Sequence, residues 1–322
     1  MRIRFLGTGA ATACPLPFCR CEVCKAARQN GGRDYRRRSS LLIDDELLID
    51  MGPDFMSAAG AMDIDTTRIR YWLQTHSHSD HFDAGHLHTR IREYATVNVP
   101  PLELVASEAC LAHMSAWLDR EESGADLLDP GMRERLALTV KYAVHAETRR
   151  VGPYLVTPLA TDHDKRDQSM MFLIERDGRR LLYALDTGVF SREVMECITS
   201  GVYLDALIID HTYGWGSIDA SSAPSTICAL RTASAEGTPV GIPDDRDIAC
   251  PPGDPPGGQD HLNAPLVADT LRALRKSSTI NTRTRVWASH ISHEGVPKYD
   301  TFAVLAREQG YEVAYDGLDV LI

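Results

Sequence analysis

The chain has 322 residues, and its 34 lysines and arginines against 45 aspartates and glutamates give a formal charge of −11. Hydrophobic residues make up 43% and charged residues 25% of the sequence, which is typical of a globular protein and excludes disorder as the main state. The acidic balance disfavours broad electrostatic binding to nucleic acid or to an anionic membrane. No apolar run reaches the roughly 18 residues of a membrane span, and no signal-peptide pattern is found, so we expect no membrane association.

The cysteines indicate metal binding rather than disulfides. Eight cysteines are too few for a disulfide scaffold in a chain of this length, and three of them lie between Cys19 and Cys24. Such crowding is typical of a metal site in a reducing compartment, because thiolates are good zinc ligands. We therefore expect a cytoplasmic protein.

Short β-type runs that end in turn residues dominate the first part of the chain. Predicted strands cover residues 2–6, 40–43, 46–50, 68–75 and 102–106, with a hairpin at Asp44-Asp45. One helix is predicted over 82–94, and another follows strand 102–106 and ends at Arg120, with Ser107 as its N-cap. Segment 121–147 is charged and helical in pattern, and we expect it to be an insertion beside the core.

The second part of the chain mixes hairpins with helices. Predicted strands cover 154–159, 170–176, 179–185, 206–210 and 285–288, with a hairpin turn at Asp177-Gly178. Predicted helices cover 220–233, 265–276 and 298–309. Segment 242–258 is rich in proline and glycine and predicts a long loop, which in a compact domain is usually functional or mobile. The mixture favours two packed sheets with outer helices over a simple βαβ repeat.

The most informative motif follows the predicted strand 68–75 and reads HSHSDH. In an extended segment alternate residues share a face, so His76 and His78 can converge on one ion. Asp80 and His81 turn the other way and can serve a second ion. Imidazoles with a carboxylate suit Zn²⁺, Mn²⁺ or Fe²⁺. A polar surface loop is the alternative, but three histidines and an aspartate in six residues favour metal.

This motif resembles the H-x-H-x-D-H signature of the metallo-β-lactamase superfamily. The resemblance implies an αββα sandwich of two mixed sheets with outer helices, one domain over residues 1–322, and a dinuclear site at one edge. It also implies three downstream ligands at strand ends. By resemblance, one ion would bind His76, His78 and His163, the other Asp80, His81 and His290, and Asp186 would bridge the two. Two divalent ions would activate a water near neutral pH and would let an acidic protein bind a phosphate.

A second metal site is predicted at the cysteine cluster. Cys19, Cys21 and Cys24 supply three thiolates, and His293 is the best candidate for the fourth ligand of a structural Zn²⁺. Free thiols in a flexible loop are the alternative. Together with the runs GTGAA, YRRRSSLLID and LLIDMGPD, the cluster resembles the phosphodiesterases that act on phosphoribosyl cyclic phosphate in phosphonate breakdown. Those enzymes carry a structural zinc held by three cysteines and a histidine.

Candidates for proton transfer lie outside the metal motif. Phosphodiester hydrolysis requires a nucleophile, charge neutralisation and protonation of the leaving alkoxide. The segment GGQDHLN resembles the one from which phosphodiesterases of this superfamily draw a general acid, which would make His261 the acid and Asp210 its support. Asp80 is counted as catalytic as well as metal-binding. Both His261 and Asp210 could instead be ordinary loop residues.

Two further motifs receive a structural interpretation. Arg36, Arg37 and Arg38 form a basic run that is predicted to be a solvated surface. Gly7-Thr8-Gly9 lacks the features of a phosphate loop and is predicted to be a tight turn close to the metal centre.

The leading functional prediction is a metal-dependent phosphodiesterase acting on a small linear or cyclic phosphate ester. Hydrolysis of a non-phosphate ester, lactone or amide is an alternative on the same fold, as is a non-catalytic biosynthetic accessory protein. A tRNA-processing nuclease is disfavoured because the charge of −11 comes with no basic arm. Segment 242–258 departs from the pattern of the phosphodiesterases of phosphonate breakdown, so the substrate can differ from theirs. The sequence does not fix the oligomeric state, and a homodimer is compatible with it.

Overall fold

Two β-sheets and their helices make up the computed structural model, which describes residues 1–95, 98–201, 203–215 and 260–322. The predicted helix 220–233 and loop 242–258 lie outside the described residues. Among the described helices, none has the length and apolarity that a membrane span requires.

The first sheet has seven strands in the described residues, in the spatial order β14-β1-β2-β3-β4-β5-β6. The strands are β1 Arg2–Gly7, β2 Ser40–Ile43, β3 Leu47–Ile49, β4 Tyr71–Leu73, β5 Leu102–Ala106, β6 Leu138–Tyr142 and β14 Asp319–Leu321. Strands β3 to β6 are parallel, whereas β14, β1, β2 and β3 pair antiparallel. The carboxyl ends of β3 and β4 therefore lie at one edge.

The second sheet also has seven strands in the part of the chain described, in the order β13-β12-β11-β10-β9-β8-β7. They are β7 Arg149–Val151, β8 Tyr154–Ala160, β9 Met170–Arg176, β10 Arg179–Ala184, β11 Ala206–Asp210, β12 Arg285–Ser289 and β13 Glu312–Val313. Strands β10 to β13 are parallel. Because β9 is antiparallel to both β8 and β10, β8 runs in the same direction as β10.

The helices pack on the outer faces of the sheets. They are α1 Glu22–Asn30, α2 Phe55–Ala61, α3 Ala84–His88, α4 Glu108–Leu118, α5 Pro130–Arg135, α6 Arg192–Thr199, α7 Ala264–Lys276 and α8 Tyr299–Glu308. The Ser107 hydroxyl accepts a hydrogen bond from the Cys110 N–H at 3.1 Å, so the predicted N-cap of α4 is confirmed. The Asn263 side chain caps α7 in the same way.

Three apolar layers hold this arrangement together. Between the sheets, Phe5 and Trp287 pack edge to face with ring centroids 5.9 Å apart, within a buried cluster drawn from both sheets. A second cluster lies between the first sheet and helices such as α4, and a third between the second sheet and α6, α7 and α8. The αββα sandwich is therefore confirmed.

Three local predictions differ from the structure. The strand predicted over 68–75 is observed only as β4, Tyr71–Leu73, and its first predicted residue belongs to a 3₁₀ turn, Thr66–Arg68. Helix 82–94 is only α3, and turns follow it. The helical prediction for 121–147 is wrong in its second half, where β6 pairs with β5. The alternation of Leu138 and Val140 with exposed or half-exposed residues marks this strand, but the charges around it favour a helical interpretation.

Candidate metal centre

Seven predicted ligands come together where strands of the two sheets end. The HSHSDH motif follows β4, His163 follows β8, Asp186 follows β10 and His290 follows β12. One group consists of His76, His78 and His163, and the other of Asp80, His81, Asp186 and His290; within each group the ligand atoms lie within 4.8 Å of one another. Asp186 Oδ1 lies 3.6 Å from His163 Nε2 and 3.2 Å from His290 Nε2, between the two groups.

The backbone at these strand ends is unusual. Asp50, Asp186 and His290 have φ values of 61°, 50° and 58°, in the left-handed region that costs energy for residues with a side chain. Gly52 lies directly beneath the motif, where a Cβ atom would be 2.2 Å from the Asp80 carbonyl oxygen. Only glycine fits at this position without displacing the metal-binding loop.

The histidines are fixed from behind, on the side away from the centre. The Thr75 hydroxyl donates to Asp50 at 2.9 Å and lies 2.8 Å from His76 Nδ1, from which it can accept. Asp50 Oδ2 also lies 2.7 Å from His81 Nδ1. On the other sheet, Thr212 Oγ1 lies 2.8 Å from His290 Nδ1. These contacts leave the Nε2 atoms to face inward.

The inward-facing atoms fit metal ions. Among the described residues, the buried Nε2 atoms of His76, His81 and His290 and the Oδ2 atom of Asp186 have no hydrogen-bond partner. A buried polar atom without a partner is costly, and several such atoms that converge are suited to hold a metal ion. His78 has the opposite orientation: its Nε2 lies 3.2 Å from Asp164 and its Nδ1 faces His163. Histidines and carboxylates in this arrangement are the donor set of zinc, manganese and iron.

Electrostatics keep the carboxylates ionised. Burial acts to raise the pKa of Asp186, but attraction to His290 and His81 outweighs it and holds the pKa well below its usual range. The pKa of Asp80 is likewise well below its usual range, since His81 and His290 outweigh burial. Burial and repulsion by His81 hold the pKa of His76 well below its usual range. Asp80 and Asp186 are therefore charged and His76 neutral at pH 7, the forms that bind metal. Burial lowers the pKa of His81, but Asp186, Asp80 and Asp50 outweigh it and raise the pKa well above its usual range, so a metal ion would displace a proton from this ring.

His261 and Asp210 lie beside this centre. The His261 Nδ1 atom is 3.0 Å from Asp210 Oδ2, and the imidazole stacks on His290 with centroids 5.1 Å apart. One His261 nitrogen lies within 4.8 Å of ligand atoms of His163 and Asp186. Burial lowers the pKa of His261, but the charge and hydrogen bond of Asp210 outweigh it and raise the pKa to about 9. Asp210 therefore favours the protonated form of the His261 imidazole.

The N-terminal glycine motif lies against the ligand loop of His290. The Ile291 N–H donates to the Thr8 carbonyl at 2.9 Å, and the Ala10 N–H donates to the Ile291 carbonyl at 3.1 Å. The motif is thus close to the centre as predicted, but it is not a tight turn. Gly7 ends β1, and a turn follows at Ala10–Ala13. A Cβ on Gly7 would lie 1.9 Å from the Arg38 carbonyl oxygen.

The solvated arginine run is a wrong prediction. Arg36 is only 4% exposed, and its Nη1 donates to Thr8 Oγ1 at 2.7 Å and to the Ala314 carbonyl at 2.8 Å. Arg38 pairs with Asp54 at 3.0 Å. The run therefore ties the glycine motif to the rest of the sheet, because buried guanidinium donors must be satisfied.

The four predicted zinc ligands also come together. The ligand atoms of Cys19, Cys21, Cys24 and His293 lie within 4.8 Å of one another, with His293 Nδ1 3.5 Å from Cys21 Sγ and 3.8 Å from Cys19 Sγ. Three thiols and an imidazole are the donor set of a closed tetrahedral zinc site. Because His293 is three residues from His290, the cluster adjoins the ligand loop of the main centre.

Several supporting residues were not predicted from the sequence. Asp50, Thr75, Asp164 and Thr212 each contact a candidate ligand. Asp50 could have been predicted, because it directly follows the short apolar strand β3. Asp210, which was predicted, stands in a similar position at the end of the apolar strand β11. The threonines carry no signal, because their role depends on the neighbouring histidine's ring orientation.

Comparisons with known proteins agree with this architecture. The Beta-lactamase superfamily domain matches residues 46–234, more than half of the chain. No match was found among curated protein sequences.

Solved structures of similar fold extend over almost the whole chain. Zn²⁺-bound PqqB from Methylobacterium extorquens is 19% identical, with 100% of each chain covered and a TM-score of 0.67. A diphosphatase from the PhnP family is 18% identical, covers 99% of this chain and 97% of its own, and has a TM-score of 0.62. Human tRNase Z, short form, is 17% identical, with 100% and 99% covered and a TM-score of 0.55. At these identities the likeness shows a shared fold.

Proposed function

Because this chain belongs to the metallo-β-lactamase superfamily, whose members are mostly metal-dependent hydrolases, we propose that it is a dinuclear metal-dependent phosphodiesterase of small linear or cyclic phosphate esters. The observation that carries the proposal is the position of His261. An imidazole held by Asp210 at 3.0 Å and placed beside the candidate ligands is arranged to donate a proton at the reacting centre.

The proposed ligands divide into two sets around Asp186. His76, His78 and His163 would hold one ion, and Asp80, His81 and His290 the other. Two divalent ions, when bound, supply an activated water and neutralise charge on the phosphate. Among the described residues, the inward Nε2 and Oδ2 atoms without partners give this assignment its support.

His261 supplies what a phosphodiesterase needs beyond its metals. An alkoxide is a poor leaving group unless it is protonated as the bond breaks. The Asp210 carboxylate is fully buried, accepts hydrogen bonds from the Asp186 and Leu262 N–H groups at 3.0 Å each, and orients the His261 ring. The fixed carboxylate keeps His261 protonated, so that the proton is available at neutral pH.

The proposal extends to a third metal and to location. A structural Zn²⁺ held by Cys19, Cys21, Cys24 and His293 fits the donor set, and we place the protein in the reducing cytoplasm.

The test uses protein reconstituted with Mn²⁺ or Zn²⁺ and bis(p-nitrophenyl) phosphate as well as a dialkyl-type phosphodiester. We expect His261→Ala to lower kcat on the alkyl leaving group by about 10²–10⁴-fold and less on p-nitrophenolate, which needs no proton. Wild-type activity on the alkyl substrate should fall as the pH rises toward and past about 9, as His261 loses its proton. His88→Ala, whose side chain contacts Glu122 rather than the centre, is the matched control.

Metal content separates the role of His261 from that of a ligand. The His261→Ala protein should keep its active-site metals, measured by elemental mass spectrometry. Loss of one ion would make His261 a ligand instead. Two outcomes would overturn the proposed function. One is hydrolysis of lactones or esters without any phosphodiester turnover, and the other is fewer than two metals per reconstituted chain in addition to the structural zinc.

A further inference from the structure

A second cavity adjoins the candidate metal centre. The small cavity at the centre has a volume of about 190 Å³, and the larger one about 640 Å³, which is the size of a pocket for a small molecule. His78 and Asp80 line both cavities. A substrate whose reacting phosphate lies in the small cavity can therefore extend into the larger one, which we call the outer groove.

The wall of the outer groove is fixed to the metal-binding motif. Asp167 is buried and accepts hydrogen bonds from the Ser77 hydroxyl at 2.8 Å and from His113 Nδ1 at 2.5 Å. It also accepts from the Ser77 N–H. His113 lies on α4 and its side chain is 48% exposed, so one carboxylate positions both the motif and a polar group of the groove.

Arg120 and Trp117 form the recognition surface of the groove. The Arg120 guanidinium carbon lies 4.4 Å from the centroid of the Trp117 ring, a cation–π contact that restrains the guanidinium. No carboxylate of the described residues forms an ion pair with Arg120. By contrast, Arg166, which also lines the groove, is paired with Asp164 at 3.1 Å. Arg120 therefore presents uncompensated N–H donors to a ligand, in the planar arrangement that suits phosphate or carboxylate oxygens.

We propose that the outer groove binds the non-reacting part of the substrate, and that this part carries a second phosphate held by Arg120 and a ring packed against Trp117. The proposal rests on the proposed function, because it places the reacting phosphate at the metal centre. Trp117 is 39% exposed, which leaves apolar surface for a ring or sugar face. Arg166 and His113 also line the groove and add polar groups to it.

The kinetic test compares thymidine 5′-(p-nitrophenyl phosphate) with the same compound phosphorylated at the 3′ position. We expect the 3′-phosphate to raise kcat/KM about tenfold or more in the wild type, chiefly through KM, and Arg120→Gln to reduce this preference to near unity. Arg192→Gln is the matched control, because the Arg192 side chain is 88% exposed and, among the described residues, forms an ion pair only with Glu196 on α6. Equal preference in Arg120→Gln and the wild type would overturn the proposal.

A binding measurement keeps the proposal testable without turnover. Trp72 and Trp287 are fully buried and Trp215 packs against Phe302, so binding in the groove is measured as the difference between two proteins. Thymidine 3′,5′-bisphosphate should quench tryptophan fluorescence in the wild type by more than it does in Trp117→Phe. The bisphosphate should bind at least several times more tightly than thymidine 5′-monophosphate, and Arg120→Gln should remove the difference. If the bisphosphate binds in this way but no phosphodiester is cleaved, only the proposed function fails. If phosphodiesters are cleaved but the bisphosphate has no advantage, the groove assignment fails.

Discussion

At the scale of single residues, each sheet orients a candidate metal-binding histidine by the same set of contacts. A threonine hydroxyl donates to a buried aspartate and faces the Nδ1 atom of a histidine: Thr75 with Asp50 on the first sheet, and Thr212 with Asp210 on the second. Both aspartates also contact a second histidine. The ring orientations are thus set before any ion binds, since every outward nitrogen of these pairs already has a partner.

Asp50→Asn tests this arrangement at the first sheet. The amide cannot hold the His81 Nδ1–H as strongly as the carboxylate at 2.7 Å, so we expect metal affinity to fall about 10–100-fold. Competition with a chromophoric chelator measures the change. Asp319→Asn on β14, which weakens ion pairs with Arg2 and Arg4 on β1 far from the centre, should leave the affinity unchanged. Unaltered affinity in Asp50→Asn would show that the carboxylate does not support the ligand.

At the scale of elements, the metal-binding loop depends on a close backbone approach. The segment after β3 passes directly beneath the segment after β4, and Gly52 makes the contact with the Asp80 carbonyl oxygen. The parallel strands β3 and β4 end side by side, so the loops that follow them pack closely against each other. A side chain at Gly52 would have to push the HSHSDH loop away from the ligands on the second sheet.

Gly52→Ala should therefore lower both stability and metal binding. A Cβ atom 2.2 Å from backbone forces the loop to move, and overpacking of this kind costs about 1–3 kcal/mol. Gly60→Ala is the matched control: Gly60 lies in α2, where a Cβ meets nothing within 4 Å, so alanine should stabilise the helix by about 0.5–1 kcal/mol. Chemical denaturation with metal analysis measures both effects. Equal stability of the two variants would show that the loop adapts without cost.

At the scale of the whole molecule, local patterns favoured two packed sheets with outer helices, and the resemblance of one motif implied the αββα sandwich and the convergence of the ligands. Neither predicted the residues that support the ligands. The HSHSDH motif is a short-range signal that can be read directly from the sequence, and the three later ligands were found because the family pattern places a ligand at later strand ends. The burial of Arg36 could not, because its partners Thr8 and Ala314 are distant in sequence and meet only in the folded sheet. The outer groove was missed for the same reason, since His113 and Asp167 come from different layers.

The cysteine cluster joins segments more than 270 residues apart, so its loss should affect the whole molecule. Cys21 also caps α1, with its Sγ accepting from the Cys24 N–H at 3.4 Å. We expect Cys21→Ser to remove one metal per chain and to lower Tm by several degrees, because metal binding contributes directly to folding in closed zinc sites. Cys197→Ser on α6, outside both metal clusters, should change neither quantity. Elemental analysis and calorimetry measure the two effects.

The loss of this zinc should also raise KM for the phosphodiester substrate, because His293 lies only three residues from His290 of the metal centre. A Cys21→Ser protein with full metal content and unchanged KM would exclude the cluster as a zinc site that supports the centre.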